Sequence, residues 1–155
     1  MDVSELNRHL IWAERLCSRR EYCGQELRMK LKAKGLDGPQ IEELMVTLRE
    51  RNFINEERYV RAFVHDKSKL QGWGVEKIRY ALRAKQIPEV LIREGLGGID
   101  TDEQRERLRR LLEVKNRSVK GASVADVRAK LIRFGLARGF SYEDVMTETK
   151  MLYFE

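Results

Sequence analysis

The sequence has few of the residues that break helices or cross-link chains. Its 155 residues include two prolines, two cysteines and two histidines, and 8% are aromatic. So little proline excludes a disordered or collagen-like chain and argues against a turn-rich β-sandwich. No apolar run approaches the roughly 18 residues that span a bilayer, and the first residues lack the basic and then apolar pattern of a signal peptide. We therefore expect a cytoplasmic protein without membrane contact and with reduced cysteines.

Motifs for enzyme chemistry are also missing. There is no phosphate-binding loop, and Gly72-Trp73-Gly74 lacks the third glycine and preceding strand of a dinucleotide fingerprint. His9 and His65 have no second ligand at a metal-binding spacing. Cys17 and Cys23 fit neither a zinc knuckle nor a redox motif and are interpreted as small buried thiols. A catalytic pair built from a distant Cys and His stays open, but nothing supports it. We predict no catalytic residue, no metal and no cofactor, and hence no enzyme.

Positive charge is abundant and unevenly distributed. Charged residues make up 36% of the chain, against about 25% in an average protein. Residues 1–57 hold 10 Lys and Arg and 11 Asp and Glu, a net charge of −1, whereas residues 58–155 hold 21 and 14, a net charge of +7. A basic surface of this kind attracts polyanions, with nucleic acid the leading candidate. A charged surface that only keeps the protein soluble is the alternative.

The hydrophobic residues recur with a helical period throughout, and sustained strand-like alternation is missing. Start and stop signals divide the chain into about nine helices. The longest are predicted over residues 5–20, 55–71 and 102–118. Predicted helix starts are Asn55, a capping box of Thr101 and Gln104, Ser123 and Ser141. Predicted helix ends are Gly35, Gly95 and Gly135.

An internal repeat groups these helices. The three copies are Leu27-x3-Leu31-x3-Gly35-Leu36, Ile78-x3-Leu82-x3-Gln86-Ile87 and Val127-x3-Leu131-x3-Gly135-Leu136, at offsets of 51 and 49 residues. In each copy the first two apolar residues lie on one helix face; a longer helix precedes the copy and a shorter one follows. We predict an all-α fold of three tandem three-helix repeats (residues 1–52, 53–98 and 99–155) that form an elongated, curved array.

Basic residues lie off the apolar faces of the second and third repeats. With Ile78 and Leu82 facing inward, Lys77, Arg79 and Arg83 point to the sides or outward. Runs of like charge favour an anionic partner, and the dominance of Arg and Lys suits phosphate contact without sequence readout. The predicted partner-binding residues are Arg58, Arg61, Lys67, Lys69, Trp73, Lys77, Arg79, Arg83, Arg128, Lys130, Arg133 and Arg138.

Trp73 lies between two glycines at the junction of two helices. The favoured interpretation is a hydrophobic plug, with Gly74 allowing the sharp turn. An exposed aromatic ring for stacking or partner contact is the alternative.

Three segments of the chain together match the motifs of a known protein family. The most specific is Phe53-Ile54-Asn55-Glu56-Glu57-Arg58-Tyr59-Val60-Arg61-Ala62-Phe63-Val64, then Gly72-Trp73-Gly74, then Lys77-Ile78-Arg79-x2-Leu82-x2-Lys85-x-Ile87. Ser18-Arg19-Arg20-Glu21-Tyr22 with Leu27, Leu31 and Gly35, and the segment 136–145, extend the likeness over almost the whole chain. These segments resemble the bacterial RecX family, whose members regulate the RecA recombinase. Gln86 stands where a glycine is common in the family, so its helix is expected to end differently.

The resemblance implies three three-helix repeats that bind in the groove of the RecA–single-stranded DNA filament without catalysis of their own. The implied effect is mostly inhibitory: filament growth is capped or dissociation favoured, and RecA ATP hydrolysis and strand exchange fall, in recombination, DNA repair and the SOS response. The expected partners are the RecA filament and, weakly and without sequence preference, single-stranded DNA, with the chain a monomer. A general helical-repeat nucleic-acid-binding protein or transcription regulator is the alternative.

Overall fold

The computed structural model describes residues 1–154, and the side chains of residues 1–153. This part of the chain forms nine α-helices and no strand, as predicted. The helices are α1 Val3–Arg19, α2 Gly24–Ala33, α3 Gly38–Glu50, α4 Glu56–His65, α5 Val75–Ala84, α6 Glu89–Gly97, α7 Thr101–Ser118, α8 Val124–Ala137 and α9 Tyr142–Phe154. A π-helical turn, Asp66–Leu70, continues α4.

The helices pack in three consecutive groups: α1–α3, α4–α6 and α7–α9. Each group has its own hydrophobic core, centred on Leu27 and Leu31, on Ile78 and Leu82, and on Leu108 with neighbours from α8 and α9. The three tandem three-helix units are therefore confirmed. The predicted limits at residues 52/53 and 98/99 both lie between helices and stay predictions of domain organisation.

The molecule exposes a large surface for its size. Its accessible area is 9684 Å², whereas a compact monomer of the same mass exposes about 8,100 Å². Three small cores in succession bury less surface than one large core. The extra area fits the elongated arrangement that the repeats predict.

The ends of α2, α5 and α8 share one geometry. One position beyond the C-cap, each has a residue with positive φ: Gly35 at 94°, Gln86 at 59° and Gly139 at 92°. The N–H of the next residue then bonds to the carbonyl five positions earlier, an arrangement typical of a Schellman motif. Gln86 therefore ends its helix as the two glycines do, and the expected difference at this position is wrong.

This geometry corrects the register of the third repeat. The counterpart of Leu31 and Gly35 is Gly135 followed by Gly139, so the predicted match beginning at Val127 is wrong by one helical turn. Gly135 lies inside α8, where a Cβ would meet Val145 Cγ2 at 3.0 Å. The glycine therefore provides room for α9 and does not end the helix.

Gly95 also lies inside a helix and does not end it as predicted. It is part of α6, and a Cβ here would come within 2.3 Å of Val60 Cγ1. The glycine is needed because α6 and α4 approach each other closely at this point.

The predicted helix starts are mostly confirmed. Asn55 Oδ1 accepts a hydrogen bond from the backbone N–H three residues later at 2.9 Å, and Ser123 and Ser141 accept equivalent bonds. The capping box of Thr101 and Gln104 is wrong. Asp100 caps α7 instead, since its Oδ1 accepts bonds from the N–H groups of residues 102 and 103.

Candidate nucleic-acid interface

The second and third units meet through the backbone at two glycines. Gly74 N–H donates to Arg138 O at 2.8 Å, and Glu76 N–H donates to Gly139 O at 2.8 Å. A Cβ on Gly74 would lie 2.3 Å from Gly139 C. Only glycine allows this approach, and the contact fixes the basic side chains of the two units relative to each other.

Trp73 lies at this junction with two lysines over its ring. Lys77 Nζ is 4.3 Å and Lys67 Nζ 4.9 Å from the ring centroid, and Phe63 meets the ring edge-on at 6.3 Å. The half-buried indole packs against the second core. This packing fits the plug interpretation.

The sharp turn beside Trp73 is made by Gly72, whose φ is 71°, and not by Gly74 as predicted. Gly74 instead provides the close approach to the third unit. The two glycines therefore bring together four of the predicted residues, which we call the junction cluster: Lys67, Trp73, Lys77 and Arg138.

The π turn also borders a groove between the second and third units. The groove has a volume of about 470 Å³ and is lined by α4, the π turn, the end of α6 and the start of α7. Two of the predicted residues, Arg61 and Lys69, are exposed at its rim and form no ion pair within the described residues. These are cations that a phosphate could approach.

Most of the groove residues lie outside the predicted set, and Arg107 and Gln104 show why. Arg107 lies in a run of arginines with no local feature to single it out, and it pairs with Glu103 at 3.1 Å. Gln104 was interpreted as part of a capping box, but its side chain is buried in the groove. Its position, four residues before Leu108 on the inward face of α7, is the signal that could have identified it.

Arg58 connects the first two units. Its Nε lies 2.7 Å from a carboxylate oxygen of Glu21, and its Nη2 donates to the carbonyls of Asn52 and Phe53 at 3.0 and 3.3 Å. These bonds use the guanidinium inside the protein. We therefore leave Arg58 out of the proposed interface.

Lys67 of the junction cluster lies 3.6 Å from an Asp66 oxygen, and three further predicted residues also have acidic neighbours. Arg79 pairs with Glu76 at 2.6 Å, Arg83 pairs with Glu89, and Lys130 lies 3.4 Å from an Asp126 oxygen. The hydrogen bond from Arg83 holds the pKa of Glu89 below its usual value, so this carboxylate stays ionised. The net positive field at these three positions is weaker than the sequence alone indicates.

In the third unit the predicted arginines have different surroundings. Arg138 Cζ lies 5.1 Å from the centroid of the Phe134 ring, and Arg128 Cζ lies 5.4 Å from that of Tyr153. Arg133 is exposed and has no ion pair in the described part of the chain. Arg133 and Arg138 are therefore the most accessible cations that α8 and its C-cap contribute to the predicted set.

Cys17 and Cys23 are buried, as interpreted from the sequence. Burial raises the pKa of Cys17 to about 11 and also raises that of Cys23, so both remain protonated near neutral pH. Among residues 1–154, no cluster of three or more His, Cys, Asp or Glu side chains could hold a metal ion. In the same residues, no helix combines the length and apolar character needed to cross a membrane.

The succession of units matches known domain models. The models of the first, second and third three-helix domains of RecX match residues 12–48, 55–96 and 102–147. The matches keep the order of the domains and cover most of the chain. This chain belongs to the RecX family. The predicted resemblance is thereby confirmed.

Curated RecX proteins from several bacteria are similar to the chain. "Regulatory protein RecX" of Chlorobaculum tepidum is 31% identical over 152 residues, which cover 98% of this chain and 92% of that protein. The Haemophilus ducreyi protein is 35% identical, over 83% of this chain and 82% of that protein. The Clostridium botulinum Alaska E43 protein is 33% identical over 81% of this chain but 59% of its own length. The chain thus spans about three fifths of the length of the clostridial relatives.

Solved RecX structures have the same fold. The crystal structure of RecX from Lactobacillus salivarius has a TM-score of 0.84 at 20% identity, covering 97% of this chain and 98% of that one. A second crystal structure, of regulatory protein RecX, has a TM-score of 0.85 at 19% identity. The match covers 94% of this chain and 73% of that one. At these identities the likeness concerns the arrangement of the helices.

Proposed function

We propose that this RecX-family chain binds the RecA–single-stranded DNA filament and regulates RecA, mostly by inhibition. Filament growth, ATP hydrolysis and strand exchange are the steps that binding would reduce. The observation that carries the proposal is family membership across three consecutive domains. The absence of any catalytic motif in the sequence agrees with a protein that acts by binding.

The proposed contact surface lies on the second and third units. It comprises the junction cluster, the groove cations Arg61 and Lys69, and Arg133. These side chains are mostly Lys and Arg, and the Gly74–Gly139 contact holds them in place. They can bind the phosphates of a nucleoprotein filament, and such contacts do not depend on the DNA sequence. The first unit, residues 1–52, holds 10 basic and 9 acidic residues, a net charge of +1, whereas the second unit, residues 53–98, holds 9 and 6, a net charge of +3. The first unit therefore contributes less to this electrostatic attraction.

The direct test is RecA ATP hydrolysis on single-stranded DNA with and without the purified chain. We expect a dose-dependent fall in hydrolysis, together with shorter filaments in electron micrographs. An unchanged rate and unchanged filament length at saturating protein would contradict the proposed function.

A matched pair of charge reversals locates the surface. Arg133→Glu with Arg138→Glu removes two exposed cations of the third unit, and Arg15→Glu with Arg19→Glu makes the same charge change on exposed positions of the first unit. Only the first pair should abolish inhibition of RecA. Arg79 and Arg83 suit this test less well, since reversal would place glutamates beside Glu76 and Glu89.

Salt titrations separate the proposal from a general nucleic-acid-binding function. The chain should bind bare single-stranded DNA weakly. In a variant that loses two phosphate contacts, the plot of log binding constant against log salt concentration should be less steep by about 1.4. Binding to the RecA filament should tolerate salt better, because buried protein–protein contacts are less screened. Tight, sequence-selective binding of bare DNA that RecA does not change would favour a transcription regulator instead.

A further inference from the structure

The groove between the second and third units has a polar floor as well as a basic rim. Val64, Ser68 and Gln104 are buried at its base, whereas Arg61 and Lys69 are exposed at its edge. Its volume of about 470 Å³ falls within the range of about 300–1,000 Å³ typical of small-molecule sites. The π turn that lines it is a feature often found at functional sites.

The floor carries a hydrogen-bond donor without an acceptor. Gln104 is 5% exposed, and its Nε2 forms no hydrogen bond with any described residue. Buried amide groups are almost always hydrogen-bonded, because an unpaired donor loses its bonds to water without replacement. A ligand with a carbonyl or ring nitrogen could supply the acceptor. Nearby, the Ser68 hydroxyl donates to Val64 O at 2.6 Å, which leaves its oxygen as an acceptor.

The charges of the lining decide what kind of ligand fits. Two carboxylates, Asp100 and Glu103, line the groove at the start of α7, and Glu103 already pairs with Arg107. Asp100, which has no ion pair among the described residues, repels an anion on the floor, whether a phosphate or an acidic side chain of a protein. A neutral group that accepts a hydrogen bond is favoured on the floor, with any negative charge held at the rim.

From these features, we propose that the groove binds one unpaired nucleotide of a DNA strand. The base lies against Val64 and accepts a hydrogen bond from Gln104 Nε2, and its phosphate lies against Arg61 and Lys69. This inference deepens the proposed function, because it assigns one base-binding position to the surface that approaches the filament DNA. Since every natural base offers an edge acceptor, the position selects for an unpaired base and not for a sequence.

The test compares two short oligonucleotides of equal length and charge, oligothymidylate and its abasic analogue, by fluorescence anisotropy at low salt. The wild-type chain should bind oligothymidylate about tenfold more tightly. Gln104→Met, which keeps the side-chain length but removes the amide, should reduce this ratio to about twofold, with affinity for the abasic strand unchanged. Equal binding of the two strands by the wild type, or an unchanged ratio in the variant, would overturn the proposal.

Two further arms identify the source of the nucleotide and separate this inference from the regulation of RecA. Free thymidine monophosphate should bind at least about 100-fold more weakly than the strand, since it lacks the neighbouring phosphate contacts; equally tight binding of the free nucleotide would overturn the strand as the source. Arg133→Glu with Arg138→Glu should lower affinity for both strands but keep the tenfold ratio. A variant at Gln104 that loses RecA inhibition without any change in the ratio would show that the groove takes a protein group, against the inference.

Discussion

Glu26 illustrates how a single residue connects two units. Its carboxylate accepts hydrogen bonds from Cys23 N–H at 3.1 Å and from Lys85 Nζ, in the second unit, at 3.2 Å. Burial by itself would raise the pKa of Glu26, but the bonds from Cys23 and Lys85 outweigh it and hold the pKa below its ordinary value. The charged form is therefore the one that stabilises the contact between the first and second units.

Replacing Glu26 by Gln should weaken this contact. We expect a loss of about 1–2 kcal/mol in the free energy of unfolding at pH 7, because a charge-assisted bond becomes a neutral one. Since the folded pKa is lowered, the contribution is complete above the unfolded value near 4.5 and lost as the pH falls through the folded pKa. Urea melts between pH 3 and pH 7 should therefore show a flatter acid dependence for Glu26→Gln. Glu43→Gln, at an exposed position, is the control and should follow the wild type.

The buried thiols should be dispensable for function. Because the thiolate is the reactive form and burial keeps both groups protonated, neither cysteine is expected to be modified readily at neutral pH. Cys17→Ala with Cys23→Ala should keep RecA inhibition near that of the wild type and reduce stability by about 1–2 kcal/mol through lost packing. Inhibition assays and urea melts measure the two effects. Loss of inhibition in a variant that is still folded would assign the thiols a role.

At the scale of the helix, the common C-terminal geometry explains an unusual residue choice. Gln86 adopts a positive φ that costs a residue with a side chain about 1–2 kcal/mol relative to glycine. Gln86→Gly should therefore raise the free energy of unfolding by about 0.5–1 kcal/mol, since the greater flexibility of glycine in the unfolded chain offsets part of the gain. The midpoint of urea unfolding is the measurement.

Gly35→Ala is the reciprocal variant. Its surroundings are open, so an added methyl group meets no atom within 4 Å and the cost comes from its φ of 94° alone. A loss of about 1 kcal/mol is expected. A gain in stability for Gly35→Ala together with a loss for Gln86→Gly would show that φ does not govern these helix ends.

The sequence is sufficient to predict most helices but not the register of every repeat. Asn55, Ser123 and Ser141 form caps through bonds within three residues, so local pattern is enough to predict them. Gly135 and Gly139 are both glycines near the end of α8, so either could end the helix on the basis of residue type alone. The choice between them depends on Val145, a residue of another helix, whose methyl groups need the space at Gly135.

At the scale of the whole molecule, the contacts between units lie beyond local sequence patterns. Gly24 N–H bonds to Glu56, Arg58 to Glu21 and Lys85 to Glu26, pairs that are 32, 37 and 59 residues apart. With 31 basic and 25 acidic residues in the chain, composition does not determine which of them pair. The bonds of Arg58 to Glu21 and the groove around Gln104 both depend on such distant contacts, so the sequence does not predict them.

The Gly74–Gly139 contact provides the strongest test of how the units are held together. A Cβ on Gly74 would lie 2.3–2.4 Å from three backbone atoms of Gly139 and Phe140, which cannot move without breaking the two hydrogen bonds of the junction. Gly74→Ala should therefore lose at least about 2 kcal/mol of stability, the contribution of two buried hydrogen bonds. Circular dichroism should show that its helices are retained.

The same variant should weaken the regulation of RecA, because Lys67, Trp73 and Lys77 would shift relative to Arg138 and separate the junction cluster. Gly97→Ala is the matched control, since a Cβ at this position of α6 meets no atom within 4 Å and alanine favours the helix. Hydrogen exchange of the Gly74 and Glu76 amides measures the junction directly, and the RecA ATPase assay measures its effect on function. If the Gly74 and Glu76 amides exchange rapidly in Gly74→Ala and inhibition of RecA is complete, the second and third units act on the filament independently. If these amides exchange rapidly and inhibition is lost, the two units bind the filament as one surface.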